Sequence, residues 1–158
     1  MEKGYSKWRK LDNAALAFPL VTGKNDSRVF RFYCQLKEEV DPDILQKALD
    51  QTMEKYPLFQ AVLRKGLFWF YLEHRDIRAV VKPETEPPCS RLYIPDKKSL
   101  LFQVSYDKNR INFEVFHALT DGTGAMHFLQ ELVQNYLILA HRSEERRVGK
   151  ECRSRWSP

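Results

Sequence analysis

The stretch Arg110–Gly124, RINFEVFHALTDGTG, decides the fold because two patterns of different period meet in it. Upstream, Ile111, Phe113 and Val115 alternate with Asn112, Glu114 and Phe116, which predicts a half-buried strand from Arg110 to Phe116. Downstream, apolar residues recur at helical spacing: Met126, Leu129, Leu132, Val133, Tyr136, Leu137 and Ala140. The segment 120–124 between them is rich in capping residues and predicts a tight strand-to-helix turn.

This turn places a histidine and an aspartate at its two ends. His117 ends the strand on its apolar side, and a nearby helix N-terminus disfavours the protonated imidazole, which leaves a neutral ring able to accept a proton. Asp121 could cap the helix, orient the loop or pair with an arginine elsewhere. The pattern alone also allows a packed, hydrogen-bonded histidine without a catalytic role.

The letters HALTDG at His117–Gly122 resemble the HxxxDG signature of one acyltransferase superfamily. Its members include chloramphenicol acetyltransferase, peptide-synthetase condensation domains, plant BAHD enzymes and alcohol acetyltransferases. The lead-in from Trp8 to Pro19, the helix end at Lys55-Tyr56-Pro57 and the segment LFQAVLR at Leu58–Arg64 are similar to that family as well. The chain most resembles alcohol-acetyltransferase-like proteins, over about residues 5–141, which is the N-terminal half of such an enzyme.

The resemblance implies an α/β fold: a mixed-sheet two-layer sandwich of the CoA-dependent acyltransferase type, N-terminal half only. It implies that His117 is the catalytic general base, which takes the proton of an alcohol acceptor as this attacks the thioester of acyl-CoA. Asp121 would be structural and pair with an arginine, with Arg28 and Arg31 as candidates, and Gly122 would let the backbone pass closely. No cofactor is bound permanently, because acyl-CoA (acetyl-CoA) is a co-substrate.

Two departures from the family pattern limit what the resemblance implies. Phe116 stands at the first histidine of the HHxxxDG form, which favours the single-histidine relatives over condensation domains. The missing C-terminal half of the chain implies that the fragment is inactive, because the active site lies between two halves. The alternatives are a condensation-type or carrier-protein-linked acyltransferase acting on amines, and a non-catalytic binding or accessory protein.

Composition and charge exclude several classes of protein. A chain of 158 residues with 43% hydrophobic content predicts one domain with one core. The net charge is +5, but residues 142–158 hold six basic and three acidic side chains, so the remaining 20 basic and 18 acidic residues nearly balance. The body therefore offers no electrostatic footprint for nucleic acid.

The chain shows neither a membrane span nor a metal-binding pattern. It has no apolar run of membrane-spanning length, and Asp12, Asn13 and Pro19 interrupt the apolar patch near its start, which argues against a signal peptide. The cysteines at 34, 89 and 152 form no CxxC pair and no metal spacing with the histidines. They predict incidental thiols in a cytoplasmic protein without a bound metal, rather than a zinc site or a catalytic cysteine.

Residues 142–158 call for a separate interpretation. RSEERRVGKECRSRWSP has no apolar period and resembles the conceptual translation of a ligation adapter used in short-read DNA sequencing, with every residue matched. The resemblance implies that residues 1–141 are the natural acyltransferase subdomain and that 142–158 are a non-native, disordered tail. A genuine basic arm that binds nucleic acid is the alternative.

The rest of the body predicts a mixed strand and helix chain. A strand covers Arg28–Leu36, and Asp41 and Pro42 start a helix that Pro57 stops. Strands are predicted at Leu58–Arg64, Leu67–Glu73 and Leu100–Tyr106, the first two joined at Lys65-Gly66. The aromatic run at 67–72 predicts a strand buried on both faces rather than a base-stacking platform. The proline-rich segment 83–98 predicts a loop with a short edge segment at Arg91–Ile94.

Overall fold

The structure is a computed structural model that describes residues 8–10 and 28–155. Its strands and helices are β1 (Trp8–Lys10), β2 (Val29–Gln35), α1 (Pro42–Lys55), a short 3₁₀ helix (Pro57–Phe59), β3 (Ala61–Lys65), β4 (Phe70–His74), β5 (Lys82–Pro83), β6 (Phe102–Asp107), β7 (Arg110–Phe116) and α2 (Gly122–Arg155). The strands form two sheets, with orders β2-β7-β6-β5 and β1-β4-β3. The predicted α/β architecture with a mixed sheet is confirmed.

The centre of the larger sheet is β7, the strand that precedes the HALTDG motif. β7 pairs antiparallel with β2 on one side and with β6 on the other, and β5 adds a parallel edge to β6. Residues 111–116 are all buried, so the expectation of a half-buried strand is wrong. The helices cover one face of β7, and a segment of the long loop between β5 and β6 contacts the other through Tyr93, whose ring stacks on Phe116 at 5.7 Å.

Helix α1 begins and ends where its sequence predicts. The Asp41 side chain accepts hydrogen bonds from the backbone N–H groups of Asp43 (2.9 Å) and Ile44 (3.1 Å), and Pro42 is the first helical residue. The helix buries Leu45, Ala48, Leu49 and Thr52. It stops at Lys55 because Pro57, which starts the 3₁₀ helix, has no N–H to continue the ladder.

Helix α2 packs against α1 and the larger sheet. The ring of Phe128 stacks on Phe59 at 4.5 Å and on Phe113 at 4.7 Å, in the centre of an aromatic core. Asn135 donates to the Thr52 hydroxyl at 3.0 Å, which ties the two helices together. The buried face of α2 consists of Ala125, Phe128, Leu129, Leu132 and Tyr136. Met126 and Leu137, predicted on that face, are exposed.

The aromatic run between β3 and β4 is not a buried strand. Leu67, Phe68 and Trp69 are 92%, 88% and 49% exposed, and only Phe70 and Leu72 of the predicted strand are buried. The reason is the hairpin turn, in which the N–H of Gly66 donates to the carbonyl of Trp69 at 2.7 Å. Residues 66–69 therefore form the turn, which projects their side chains away from the core.

The edge segment of the larger sheet lies earlier in the chain than predicted. It forms at Lys82–Pro83, whereas Arg91–Ile94 has no strand pairing. Gln46 of α1 explains the difference. Its side chain donates to the carbonyl of Ala79 and accepts from the N–H of Val81, each at 2.9 Å. These two bonds hold the preceding segment extended and guide it to the side of β6.

Residues after His141 continue the helix as far as Arg155, contrary to the expected disordered tail. Arginine and glutamate are strong helix formers, and no proline occurs between His141 and Pro158, so local propensity sustains the helix without an apolar stripe. Residues 144–148 are all exposed. The adapter origin of residues 142–158 stays a prediction. No helix within the described residues is long and apolar enough to cross a membrane.

Candidate active site

His117 lies immediately after the last residue of β7, at the surface. Its backbone N–H donates to the carbonyl of Arg28 at 3.0 Å, which continues the β2–β7 pairing by one bond. Its imidazole packs against Phe30, with 4.3 Å between ring centroids, and the residue is exposed. Phe30 is the register partner of Val115, so the ring lies on the apolar side of the strand, as predicted, at its exposed end.

The strand end that carries His117 is held firmly. Val115 pairs with Phe30 and Phe116 pairs with Val29 across β2, and both Val115 and Phe116 are fully buried. The turn that follows begins with a hydrogen bond from the N–H of Leu119 to the carbonyl of Phe116 at 2.9 Å. An exposed imidazole on a rigid strand end is a suitable arrangement for a group that must meet a substrate in one orientation.

Asp121 is the N-cap of α2. Its carboxylate accepts from the N–H of Gly124 at 2.8 Å, and its carbonyl accepts from the N–H of Ala125 at 3.0 Å. Of the three roles that the sequence allowed, helix capping is the one seen. No arginine in the described part of the chain pairs with Asp121, and Arg31 is directed to Glu84 and Glu114 instead.

The sequence resemblance predicts that Gly122 lets the backbone pass closely, but the crowded position is Gly124, two residues later. A methyl group at Gly122 would meet no atom within 4 Å. At Gly124 it would stand 2.1 Å from the Thr120 hydroxyl and 3.3 Å from the Asp121 carboxylate. Gly124 is therefore the position where the turn between His117 and the helix has no room for a side chain.

A part-buried polar cluster, formed by Arg31, Glu84, Gln103, Arg110, Asn112 and Glu114, lies on the larger sheet and on the loop after β5. Glu114 is 1% exposed and accepts from the Nε of Arg31 at 2.9 Å, from the Cys89 N–H at 2.7 Å and from the side chain of Gln103. Arg31 and Gln103 stand opposite Glu114 on β2 and β6. The cluster therefore spans three strands and fixes the loop at Cys89 on the strand of His117.

Glu84 is the second carboxylate of the cluster. It accepts hydrogen bonds from Arg31, from the Nη2 of Arg110 at 2.8 Å and from Asn112 at 3.2 Å. The hydrogen bond from Arg31, opposed by burial and supported by Arg110, holds the pKa of Glu84 below its ordinary value. Glu84 is therefore a fixed anion that neutralises two guanidinium groups.

This cluster could not be predicted from the sequence. Alternation along β7 indicates that Asn112 and Glu114 share a face, but it cannot reveal that the loop 84–101 covers that face. The residues that stand opposite Glu114 on β2 and β6 depend on which strands pair and in what register, and the sequence does not reveal this pairing.

The structure provides no support for chemistry at Cys89. Burial, followed by the charge of Glu114, raises the pKa of the Cys89 thiol and so disfavours the thiolate that would act as a nucleophile. Within residues 8–10 and 28–155, no three histidine, cysteine, aspartate or glutamate side chains come together as a set that could hold a metal ion.

No protein-family model matches the chain, and no curated protein matches it in sequence. Solved structures do match. The starter condensation domain of rhizomide synthetase has a TM-score of 0.69 at 14% identity, over 86% of this chain and 39% of that one. Polyketide synthase associated protein 5 from Mycobacterium tuberculosis has 0.61 at 20% identity, over 86% and 34%. A chain of the complex of the X-domain and OxyB from teicoplanin biosynthesis has 0.65 at 14% identity, over 84% and 33%.

These similarities define the class of fold. The chain has the condensation-domain type of acyltransferase fold, as the resemblance at His117–Gly122 implied. At 12 to 14% identity with the starter condensation domain, the likeness is one of fold. The chain spans only 33 to 39% of the length of these solved structures.

Proposed function

We propose that this chain is part of an acyltransferase in which His117 is the general base. The observation that carries the proposal is the position of His117: an exposed imidazole at the rigid end of β7, packed on Phe30 and followed by a capped helix. In the proposed reaction the neutral imidazole takes the proton of an acceptor hydroxyl or amine as its O or N attacks a thioester carbonyl. The C–S bond then breaks, and the imidazolium returns the proton to the thiolate.

The described residues around His117 have positioning roles in this proposal. Phe30 supports one face of the imidazole, and the carbonyl of Arg28 fixes the backbone at the strand end. Asp121 fixes the other end of the turn through its bond to Gly124. Donors for the tetrahedral oxyanion and contacts to the acyl donor would come from residues outside this chain, so we expect the chain alone to be inactive.

The donor and the acceptor have two alternatives. An alcohol O-acetyltransferase would use acyl-CoA and a hydroxyl, and Phe116 in place of the first motif histidine favours it. The ring of Phe116 is fully buried against Tyr93. The position of the first motif histidine therefore offers a substrate neither an imidazole nor an exposed side chain. A condensation-type enzyme would use a carrier-bound thioester and an amine, and the fold similarity to condensation domains favours that alternative equally.

The test uses the full-length protein encoded by the source gene, with acetyl-CoA or an acyl-carrier protein as donor and an alcohol or an amine as acceptor. We expect one donor and acceptor pair to dominate, and His117→Ala to lower kcat/KM for it by roughly 10²- to 10⁴-fold. His127→Ala is the matched control, because His127 is an exposed histidine on α2 outside the motif. Equal activity of the His117→Ala variant and the wild type would contradict the proposal.

A non-catalytic accessory role is the second candidate. The similarity to a chain of the X-domain and OxyB structure favours it, since that structure is a complex of two proteins. The same assay separates the two candidates. A full-length protein that transfers no acyl group with any of the four pairs, although it is folded, would support the accessory role and exclude His117 as a base.

A further inference from the structure

An open groove lies at the edge of the larger sheet, on the side of β6 opposite β7. One wall is the extended segment 77–82, the other is the loop segment 91–100, and β6 forms the floor. Its volume is about 410 Å³, within the range of small-molecule sites. We call it the basic groove, after the cations Arg78, Lys82, Arg91 and Lys97 that line it.

The walls of the basic groove carry accessible apolar side chains. Val80 on the first wall and Ile94 on the second are 64% and 39% exposed. Leu92 and Leu100 on the second wall are half-buried. An apolar chain or ring placed between these walls would remove hydrophobic surface from water.

The rim carries an excess of positive charge. All four cations of the basic groove are exposed, and among its described lining residues Glu86 is the one carboxylate. Arg78 is partly neutralised by Asp50, whose carboxylate lies 2.7 Å from its Nη2. Lys82 and Lys97 still outnumber Glu86 beside walls that carry apolar side chains, where an anion is attracted more strongly than on an open surface.

Both walls are held by specific hydrogen bonds. Gln46 of α1 binds the backbone of Ala79 and Val81 on the first wall. On the second wall, the Ser99 hydroxyl donates to the carbonyl of Leu92 at 3.2 Å, and the N–H of Lys97 donates to the carbonyl of Ile94 at 3.1 Å. The basic groove is therefore preformed, and a ligand would not have to order its walls.

We propose that the basic groove binds an amphiphilic anion, in which a carboxylate or phosphate is joined to a short apolar chain. The anionic group would lie near Lys82 and Lys97, and the chain would lie against Val80, Leu92 and Ile94. This site is separate from His117, because β6 and β7 stand between the groove and the β2 residues that support the imidazole. It does not depend on the acyltransferase proposal.

Calorimetric titration of the chain with four probes of equal chain length tests the proposal: octanoate, octyl phosphate, octylammonium and octanol. We expect saturable binding of the two anions, weaker binding of octanol by about tenfold or more, and none of octylammonium. The tighter of the two anions identifies the head group that the site prefers. Equal binding of octylammonium, or no saturable binding of either anion, would overturn the proposal.

Two neighbouring lysines offer a matched pair of variants. Lys97 lines the basic groove, whereas Lys98 is exposed next to it and does not. We expect Lys97→Glu to weaken anion binding by about tenfold and Lys98→Glu to change it less than about twofold, although both variants alter the net charge equally. An equal loss in both would show attraction by overall charge and overturn the site. His117→Ala should bind the anions as the wild type does.

Discussion

The guanidinium of Arg31 and the carboxylate of Glu114 face each other across β2 and β7, with 2.9 Å between Nε and Oε1. Glu114 is almost fully buried, and its carboxylate also accepts from the N–H of Cys89. The pair therefore joins the loop at Cys89 to the strand that ends at His117. It contributes to the position of the strand end without contact to the imidazole.

Removal of the Glu114 charge should destabilise the fold strongly. We expect Glu114→Gln to lower the free energy of unfolding by about 3 kcal/mol, the lower end for a broken buried pair, because Arg31 keeps Glu84 as a partner. Urea denaturation measures the change. Glu73→Gln is the control, since Glu73 pairs with Arg75 at a more exposed site and should cost less than about 1 kcal/mol. Similar small losses in both variants would contradict a stabilising role of the cluster.

The Glu84 carboxylate should make stability depend on pH on the acid side. Its folded-state pKa lies below the ordinary value, first because Arg31 donates a hydrogen bond to it. Its contribution to the free energy of unfolding is thus complete above the ordinary glutamate pKa of 4.5. This contribution is lost as the pH falls below that value and through the folded-state pKa. We would measure the free energy of unfolding between about pH 6 and pH 3, a range that brackets the ordinary pKa. It should fall less steeply with decreasing pH in Glu84→Gln than in the wild type. An unchanged slope would exclude this linkage.

The local elements near the motif could be predicted from the sequence because they depend on neighbouring residues. The alternation before His117 and the capping residues after it determine a strand and a helix N-terminus, and Asp41 with Pro42 does the same for α1. The fold class followed from the motif HALTDG and its context. These features need no knowledge of which segments meet in space.

The remaining features could not be predicted because they depend on long-range packing. Glu114 alternates with apolar residues as a solvent-facing residue would, and only the loop that folds over it makes it buried. Phe68 is part of an aromatic run that indicates a core strand, but the hydrogen bond between Gly66 and Trp69 places it in a turn. Gly124 differs from Gly122 through the nearby side chains of Thr120 and Asp121, whose positions the sequence does not reveal.

The two glycines of the turn should respond differently to the same change. Gly124→Ala should destabilise the chain by about 1–3 kcal/mol, since its methyl group would collide with the Thr120 hydroxyl. Gly122→Ala has open space at a helical position and should be neutral or stabilise by up to about 1 kcal/mol. Thermal denaturation measures both. The double variant Thr120→Ala/Gly124→Ala should recover most of the loss, and its failure to do so would mean that the collision is not the cause.

Asp121 offers a test of capping against ion pairing. As the N-cap of α2 it needs a side-chain oxygen that accepts from Gly124, which asparagine also supplies. We therefore expect Asp121→Ala to cost about 1 kcal/mol and Asp121→Asn to cost a few tenths at most, as measured by urea denaturation. If the aspartate acted mainly through a charge pair with an arginine, both variants would lose the charge and both would be destabilised alike. The same comparison on activity in the full-length protein would show whether the capped turn, rather than the charge, positions His117.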